Sequence, residues 1–444
     1  MPKALPRLQE PPLIGSLRSF RNERLELFNR VRRECGELGL FRVGPLSIML
    51  VNSSRALQEV TSLHADAFEG GLAVNALLPI FGRYSLVLLP NKEHRTYRKI
   101  MAPTFQPRRV SMFAEPMVKA TLEAQARWTD GQEIDVGQEM LRLTMRIVGK
   151  TLLGLEVLDE ADDFGAALTT CLEYSNHLVA NIVPVPLWLP TKRNRELKKA
   201  LAFIRGMLME KLSSRRHAGC PATQDFASML MGVRGEDGQG LSDEQLRDNL
   251  IFIFSAGYET SANTLAWTWY LLSKHPEVYE RLRKEVDEVL QGRAPTYEDL
   301  ASLPYVHQVV KEVMRIYPVA YFFGREARRD VEIDGYQVPK GTFAAVCPYT
   351  LHRNPEYFPD PERFDPDRFA PEQESKLPKY AYLPFGAGVH ACLGVHFFMI
   401  EAPLLLATLV QRVHIDVLPG QTVKPVVEVT LRPSRILARV HHRS

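Results

Sequence analysis

Ser242-Asp-Glu-Gln245 has the spacing of a capping box, in which the serine hydroxyl and the glutamine side chain each satisfy a free backbone N–H. It opens a run that keeps helical character to about Ser273. A helix of that length measures roughly 45 Å, enough to cross a whole domain, so the rest of the chain must be arranged around it. Its centre reads Ala256-Gly257-Tyr258-Glu259-Thr260. A mid-helix glycine costs about 1 kcal/mol against alanine, so something other than helix stability favours this segment. From about Glu93 to Leu290 the pattern is mainly helical, with few strand signals. Leu38 to Val43 and Leu46 to Asn52 flank Gly44-Pro45 and predict a hairpin. Val331 to Val346, with Asp-Gly and Pro-Lys-Gly turns between short apolar runs, predicts hairpins in a small sheet. The class expected is therefore mainly α with minor β, not the strict βαβ alternation of a doubly wound fold.

Length alone, at 444 residues, would suggest about three domains. No linker, charge block, repeat or low-complexity tract divides the chain, so residues 1–444 are read as one domain. A formal charge of +3 is too small to argue for a nucleic-acid partner. The five cysteines, Cys35, Cys171, Cys220, Cys347 and Cys392, are far apart and form no C-x-x-C pair. That argues against a disulfide framework or a cysteine zinc site and favours a reducing compartment. The N-terminus shows neither a signal-peptide core nor a membrane anchor. Two charge-free runs, Tyr174 to Thr191 and Tyr380 to Ile400, are broken by prolines or glycines. The expectation is a soluble, cytoplasmic protein.

Near the C-terminus the chain reads Phe385-Gly-Ala-Gly-Val-His-Ala-Cys392-Leu-Gly394. A buried structural cysteine would explain Cys392 but not its neighbours. A thiolate that ligates a flat, bulky cofactor needs close backbone approach, N–H donors and a nearby cation. Gly386, Gly388 and Gly394 offer the first, the loop entering an apolar helix from about Leu393 the second, and His390 the third. Upstream, Pro304 to Tyr317 places Val306, Val309, Val310, Val313 and Tyr317 on one helical stripe and leaves Glu312 and Arg315 as an i,i+3 pair on another face.

With these motifs the chain resembles the cytochrome P450 superfamily of haem-thiolate monooxygenases, from about Pro11 to Arg439. The resemblance implies haem b (iron protoporphyrin IX) with Cys392 as the iron ligand and Phe385 packed beside the sulfur; thiolate ligation is that family's known chemistry. It implies that Ala256 and Gly257 lie over the haem, where Gly257 opens a groove for dioxygen. Thr260 and Glu259 would be the alcohol and acid that deliver protons in a dry pocket. His94, Arg98, Arg325 and His390 match positions that grip the haem propionates. Glu312, Arg315 and Arg363 of Pro361-Glu-Arg363-Phe364 match a buried network that holds the cysteine loop. His352-Arg-Asn-Pro355 to Phe364-Asp-Pro-Asp-Arg-Phe369 resembles the turn-rich approach to that loop. By the same analogy Leu72, Val74, Leu77, Leu88, Phe252, Ser255, Val319, Tyr321, Phe322 and Thr430 line a substrate pocket. The sequence departs from the pattern at His390, where Arg is common, and at Phe398, where Ala is usual.

The function implied is insertion of one atom of dioxygen into a lipophilic small molecule, by hydroxylation or epoxidation. No flavin or iron-sulfur region follows Cys392, so a separate ferredoxin or flavodoxin with its NAD(P)H reductase is expected to bring electrons. The basic stretch Lys92, Arg95, Lys99, Arg108 and Arg109 suits an acidic partner. The rival readings are a peroxygenase or hydroperoxide isomerase on the same fold, and a non-catalytic haem-binding sensor.

Overall fold

The computed structural model describes residues 2–154, 158–180, 185–217, 225–235 and 238–443, which are mainly helical with four small sheets. The largest sheet begins at the expected hairpin, where β1 (Leu38–Val43) and β2 (Leu46–Val51) pair antiparallel from Leu38↔Val51 to Val43↔Leu46. Gly44 has φ +58°, a left-handed value that closes this tight turn without the strain a Cβ would add. β3 (Phe68–Glu69), β4 (Phe323–Ala327) and β5 (Phe343–Val346) complete the sheet in the order β1-β2-β5-β4-β3, with β5 parallel to β2. A hairpin after Val331 also forms, Val331–Ile333 against Tyr336–Val338, in a separate sheet with Lys3–Ala4. The run from Val331 to Val346 thus divides between two sheets.

Most of the core is carried by α1 (Asn91–Met101), α2 (Ala114–Gln125), α3 (Val136–Leu153), α4 (Leu158–Ala180), α5 (Lys192–His217), α6 (Asp243–Lys274), α7 (Pro276–Leu290), α8 (Pro304–Ile316) and α9 (Val395–Arg412). α6 is the long helix anticipated, one residue longer than the pattern suggested. Both capping-box bonds are present: Gln245 N–H donates to Ser242 Oγ at 3.2 Å, and Ser242 N–H to Gln245 Oε1 at 2.8 Å. Its second half is buried on every side, with Leu265, Ala266, Trp267 and Trp269 all inside, as a core-crossing helix requires. Trp267 stacks on Tyr317 at 3.6 Å between ring centroids, and its Nε1–H donates to Leu431 O at 3.1 Å. α9 is long and apolar enough to cross a membrane by composition, yet 72% of it is buried in the protein, so it is a core helix. Cys35, Cys171, Cys347 and Cys392 are free thiols; Cys220 lies outside the described residues.

Glu312 and Arg315 on α8 are each 0% exposed and face one another, Nε to Oε2 at 2.7 Å. All five guanidinium donors of Arg315 are used: two reach Glu312, and the others reach the carbonyls of His352, Pro361 and Arg363. Glu312 Oε1 also accepts the Asp365 N–H at 2.9 Å. The expected role of Arg363 is corrected here. Its side chain is exposed and only its carbonyl joins the network. The second guanidinium is that of Arg368, 3.6 Å from Glu312 and mostly buried. The motif occurs twice, as Pro361-Glu-Arg363-Phe364 and Pro366-Asp-Arg368-Phe369, and the turn between the copies aims the second one inward.

Removing one partner of a buried pair strands the other charge, so Glu312→Ala should lower stability by about 3–5 kcal/mol. Arg363→Ala should stay within about 0.5 kcal/mol of wild type, as exposed substitutions do. Urea denaturation of both variants checks this, and equal losses would restore Arg363 to the network.

Candidate functional site

One cavity of about 910 Å³ opens between α6, the cysteine loop and the first sheet. Cys392 Sγ lies on its floor, open to the cavity and enclosed by protein elsewhere. The loop is closed by the Cys392 N–H, which donates to Phe385 O at 2.8 Å. Gly386 and Gly388 both have positive φ, +68° and +67°. At Gly388 a Cβ would fall 1.8 Å from the Thr61 carbonyl oxygen, so only glycine fits. Gly394 is different: its φ is ordinary, and a Cβ would sit 3.7 Å from the sulfur. Burial pushes the Cys392 thiol up, opposed by the Gly394 N–H and by Arg98. Beside the loop, Phe385 meets the unusual Phe398 edge to face at 5.7 Å, and both rings line the cavity.

The loop is coupled to α8 through a buried histidine. Leu383 N–H donates to His352 Nε2 at 2.8 Å, while the His352 carbonyl accepts from Arg315. Burial, with Arg315 and Arg353 nearby, pushes His352 down to about 3, which keeps Nε2 available as an acceptor.

On one wall stand His94 and Arg98 from α1, His390 from the loop and Arg325 from β4. His390 Nδ1 is 3.1 Å from His94 Nε2, and its Nε2 is 3.1 Å from Asn91 Oδ1. Burial and the neighbouring arginines push His94 down to about 4 and His390 to about 2, so both rings are neutral. His390 is therefore not the cation beside the sulfur; that charge is Arg98, whose Nη1 also donates to the Ala391 carbonyl. Among the described residues neither Arg98 nor Arg325 makes a salt bridge, and His94 Nδ1 is buried without a partner. The two arginines are prepared for an anion.

Opposite the sulfur, α6 presents Ala256, Gly257, Thr260, Ser261 and Thr264. Thr260 Oγ1 donates back to Ala256 O at 2.7 Å. A Cβ at Gly257 would meet only Val148, at 3.5 Å, so helix packing does not demand the glycine. Glu259 points elsewhere: its Oε1 accepts from Thr430 Oγ1 at 2.7 Å, and burial raises its carboxyl. Thr430, also an acceptor for Asn263 at 3.2 Å, belongs to that network and does not line the pocket as expected.

Of the other expected pocket residues, Val74, Leu77, Phe252, Val319, Tyr321 and Phe322 do line the cavity. Ser255 does not, because its place on α6 turns it into the core, where Oγ donates to Ile251 O at 2.8 Å. Leu88 packs against the core while Leu86 and Val87 face the cavity, a phase shift set by the short helix Leu86–Leu88. The side chain of Leu72 lies outside the described residues. Sequence reasoning missed Arg368, which carried the same motif as Arg363, and Asn91, which carried no signal. It also missed Glu401, visible as an acid inside the apolar run of α9.

A family model described as Cytochrome P450 matches residues 6–439. Pentalenene oxygenase of Streptomyces avermitilis is 33% identical over 414 residues, covering 92% of this chain and 91% of that one. Cyclooctat-9-en-7-ol 5-monooxygenase of Streptomyces melanosporofaciens is 32% identical over 415 residues, covering 93% and 89%. Among solved structures, retinoic acid-bound cyanobacterial CYP120A1 superposes with a TM-score of 0.89 at 25% identity over the full length of both chains.

The loop geometry distinguishes its glycines. Gly388→Ala should cost about 2 kcal/mol or more, through strain and the Thr61 clash. Gly394→Ala should cost less than about 1 kcal/mol. Chemical denaturation of the two variants gives the comparison, and equal sensitivity would contradict it.

Proposed function

The chain belongs to the cytochrome P450 family, and from that premise we propose that its cavity holds haem b, with Cys392 as the protein ligand to iron. The protein is a haem monooxygenase acting on a lipophilic substrate. The observation that carries the site assignment is the pairing of a cavity-facing sulfur with two arginines, Arg98 and Arg325, that make no salt bridge among the described residues, the nearby Glu69 and Glu326 being paired with Arg328. A haem seated between them would place its propionates against Arg98 and Arg325, with His94 and His390 beside them as neutral rings. When bound, thiolate-ligated haem supplies the dioxygen activation that inserts one oxygen atom into substrate.

The rest of the reading concerns this chain's own groups. Gly386 and Gly388 let the loop fold so that the sulfur faces inward, and the Gly394 N–H with Arg98 stabilises negative charge on it. Thr260 holds a hydroxyl proton at the cavity wall, one residue from Glu259, whose burial keeps a proton above the usual carboxylate range. Phe252, Val319, Tyr321 and Phe322 exclude water and bind by burial, about 25 cal/mol for each Å² of apolar surface covered. Since two relatives bear the names of a pentalenene oxygenase and a cyclooctatenol monooxygenase, cyclic terpenoids are the substrate class proposed. Lys92, Arg95, Lys99, Arg108 and Arg109 are all exposed, on and just beyond the helix whose Arg98 touches the loop, a surface suited to an acidic ferredoxin or flavodoxin. We take residues 1–444 as one such domain, acting in the cytoplasm. The cavity-facing threonine favours dioxygen chemistry over the peroxygenase reading, and NADPH-dependent turnover separates an enzyme from a sensor.

Titration with cyclic terpenes should shift the Soret band saturably, while a panel of charged hydrophiles should leave it unmoved. Thr260→Ala should still bind haem and substrate, but product formed per NADPH should fall by about tenfold or more as hydrogen peroxide rises. Unchanged coupling would show that Thr260 does not manage the proton.

A further inference from the structure

We propose that Asn249, with Asp248 beside it, is a positioning residue that holds the cavity wall at Leu86 and Val87 in a fixed place relative to Thr260, and so determines which substrate position receives oxygen. The inference rests on the monooxygenase reading of the cavity and goes beyond it by naming what selects the site of attack. Asn249 stands near the start of α6 and is 0% exposed. Its amide bridges to the segment before α1. Oδ1 accepts the Leu86 N–H at 2.9 Å, while Nδ2 donates to Tyr84 O at 2.9 Å and to Gln245 O of its own helix at 2.8 Å. Asp248, also buried, adds a third link to that segment, its Oδ2 accepting the Tyr84 N–H at 3.2 Å. The segment approaches so closely that a Cβ at Gly82, whose φ is +78°, would fall 2.2 Å from the Asp248 carboxylate.

A buried backbone group left without a partner is costly, so a side chain that satisfies both the Tyr84 carbonyl and the Leu86 N–H fixes where that backbone runs. From that position Leu86 and Val87 face the cavity, and Leu88 is turned into the core. Asn249 does not line the cavity itself; it acts through those two residues. It shares a helix face with Phe252, Ile253, Ala256 and Thr260, all of which do line it. Phe81, at the front of the segment, meets Phe252 edge to face at 5.5 Å, a second contact with that face. At 1.5 Å per residue, Asn249 lies roughly 16 Å from Thr260 along one continuous helix. One end of α6 thus holds the wall against which an apolar skeleton rests, and its centre presents the hydroxyl beside which oxygen is delivered. A misplacement of about 1 Å is enough to change a rate by about a hundredfold, so moving this wall changes which carbon is attacked.

The test uses the holoenzyme and reads selectivity, which a loss of folded protein alone does not change. Two iron-ligating azoles serve as probes: imidazole, too small to reach the wall, and clotrimazole, which fills the space above the iron. In Soret titrations Asn249→Ala should change clotrimazole affinity by about tenfold, with imidazole affinity within about twofold of wild type. With valencene, a bicyclic hydrocarbon with several reactive C–H positions, and a surrogate ferredoxin and reductase, the ratio of oxygenated products should change by about threefold or more. Ser85→Ala, on the same segment but with a hydroxyl that has no partner, should leave both readouts at wild-type values. Leu290→Ala, at a buried position of α7 that does not line the cavity, destabilises by packing alone and should leave them unchanged too. An Asn249→Ala protein with wild-type clotrimazole affinity or product ratio, or an equal shift in Leu290→Ala, overturns the inference. Should Asn249→Ala not fold, Asp248→Ala, which frees only the Tyr84 N–H of this segment, decides the matter: unchanged selectivity overturns the clamp. A wild type that binds imidazole but whose Soret band no cyclic terpene moves overturns the terpenoid reading instead, and the azole titrations still decide the clamp, so the two failures are distinct.

Discussion

A carboxylate and a guanidinium sealed together inside the protein, Glu312 and Arg315, hold the segment that carries the sulfur. Exposed pairs of this kind contribute about 0–1 kcal/mol, and buried ones must repay a large desolvation cost. Here the repayment is complete on the arginine side, because every donor finds an acceptor, three of them carbonyls between His352 and Arg363. From His352 the connection continues through Leu383 to the loop, and within the loop from Phe385 O to the Cys392 N–H. The pair acts less as a source of net stability than as a fixed point from which the cysteine's position is set.

The cavity above that loop combines two environments. Its upper part is apolar and suits burial of a hydrocarbon skeleton. Its lower wall gathers Arg98 and Arg325 with two neutral histidines, and among the described residues neither arginine forms a salt bridge, Glu69 and Glu326 being paired with Arg328. A flat cofactor with an apolar body and two acidic substituents satisfies both parts at once. Substrate then meets α6 where Thr260 and Ser261 bring hydroxyl groups to an otherwise dry surface.

What could be read from the sequence was whatever has a local physical signature. The capping box, the apolar length of α6, the Gly44-Pro45 turn and the glycine-interrupted cysteine loop each depend on neighbouring residues, and each formed close to the expected bounds. What could not be read depends on which way a turn or helix is rotated in space. Arg363 and Arg368 sit in near-identical motifs, and only the turn between them decides which reaches Glu312. Ser255, Leu88 and Thr430 were misassigned for the same reason, a phase of one residue against the cavity wall. Glu401 was visible as an acid in an apolar helix, but its partner lies 140 residues away on α6.

The central claim is that Cys392 supplies a thiolate to haem iron, and the absorption spectrum of the reduced, carbon monoxide-bound protein tests it most directly. Thiolate ligation by Cys392 should give the wild type a strongly red-shifted Soret band. Cys392→Ser should abolish that band. A red-shifted band that persists in Cys392→Ser, with haem still bound, would contradict the assignment.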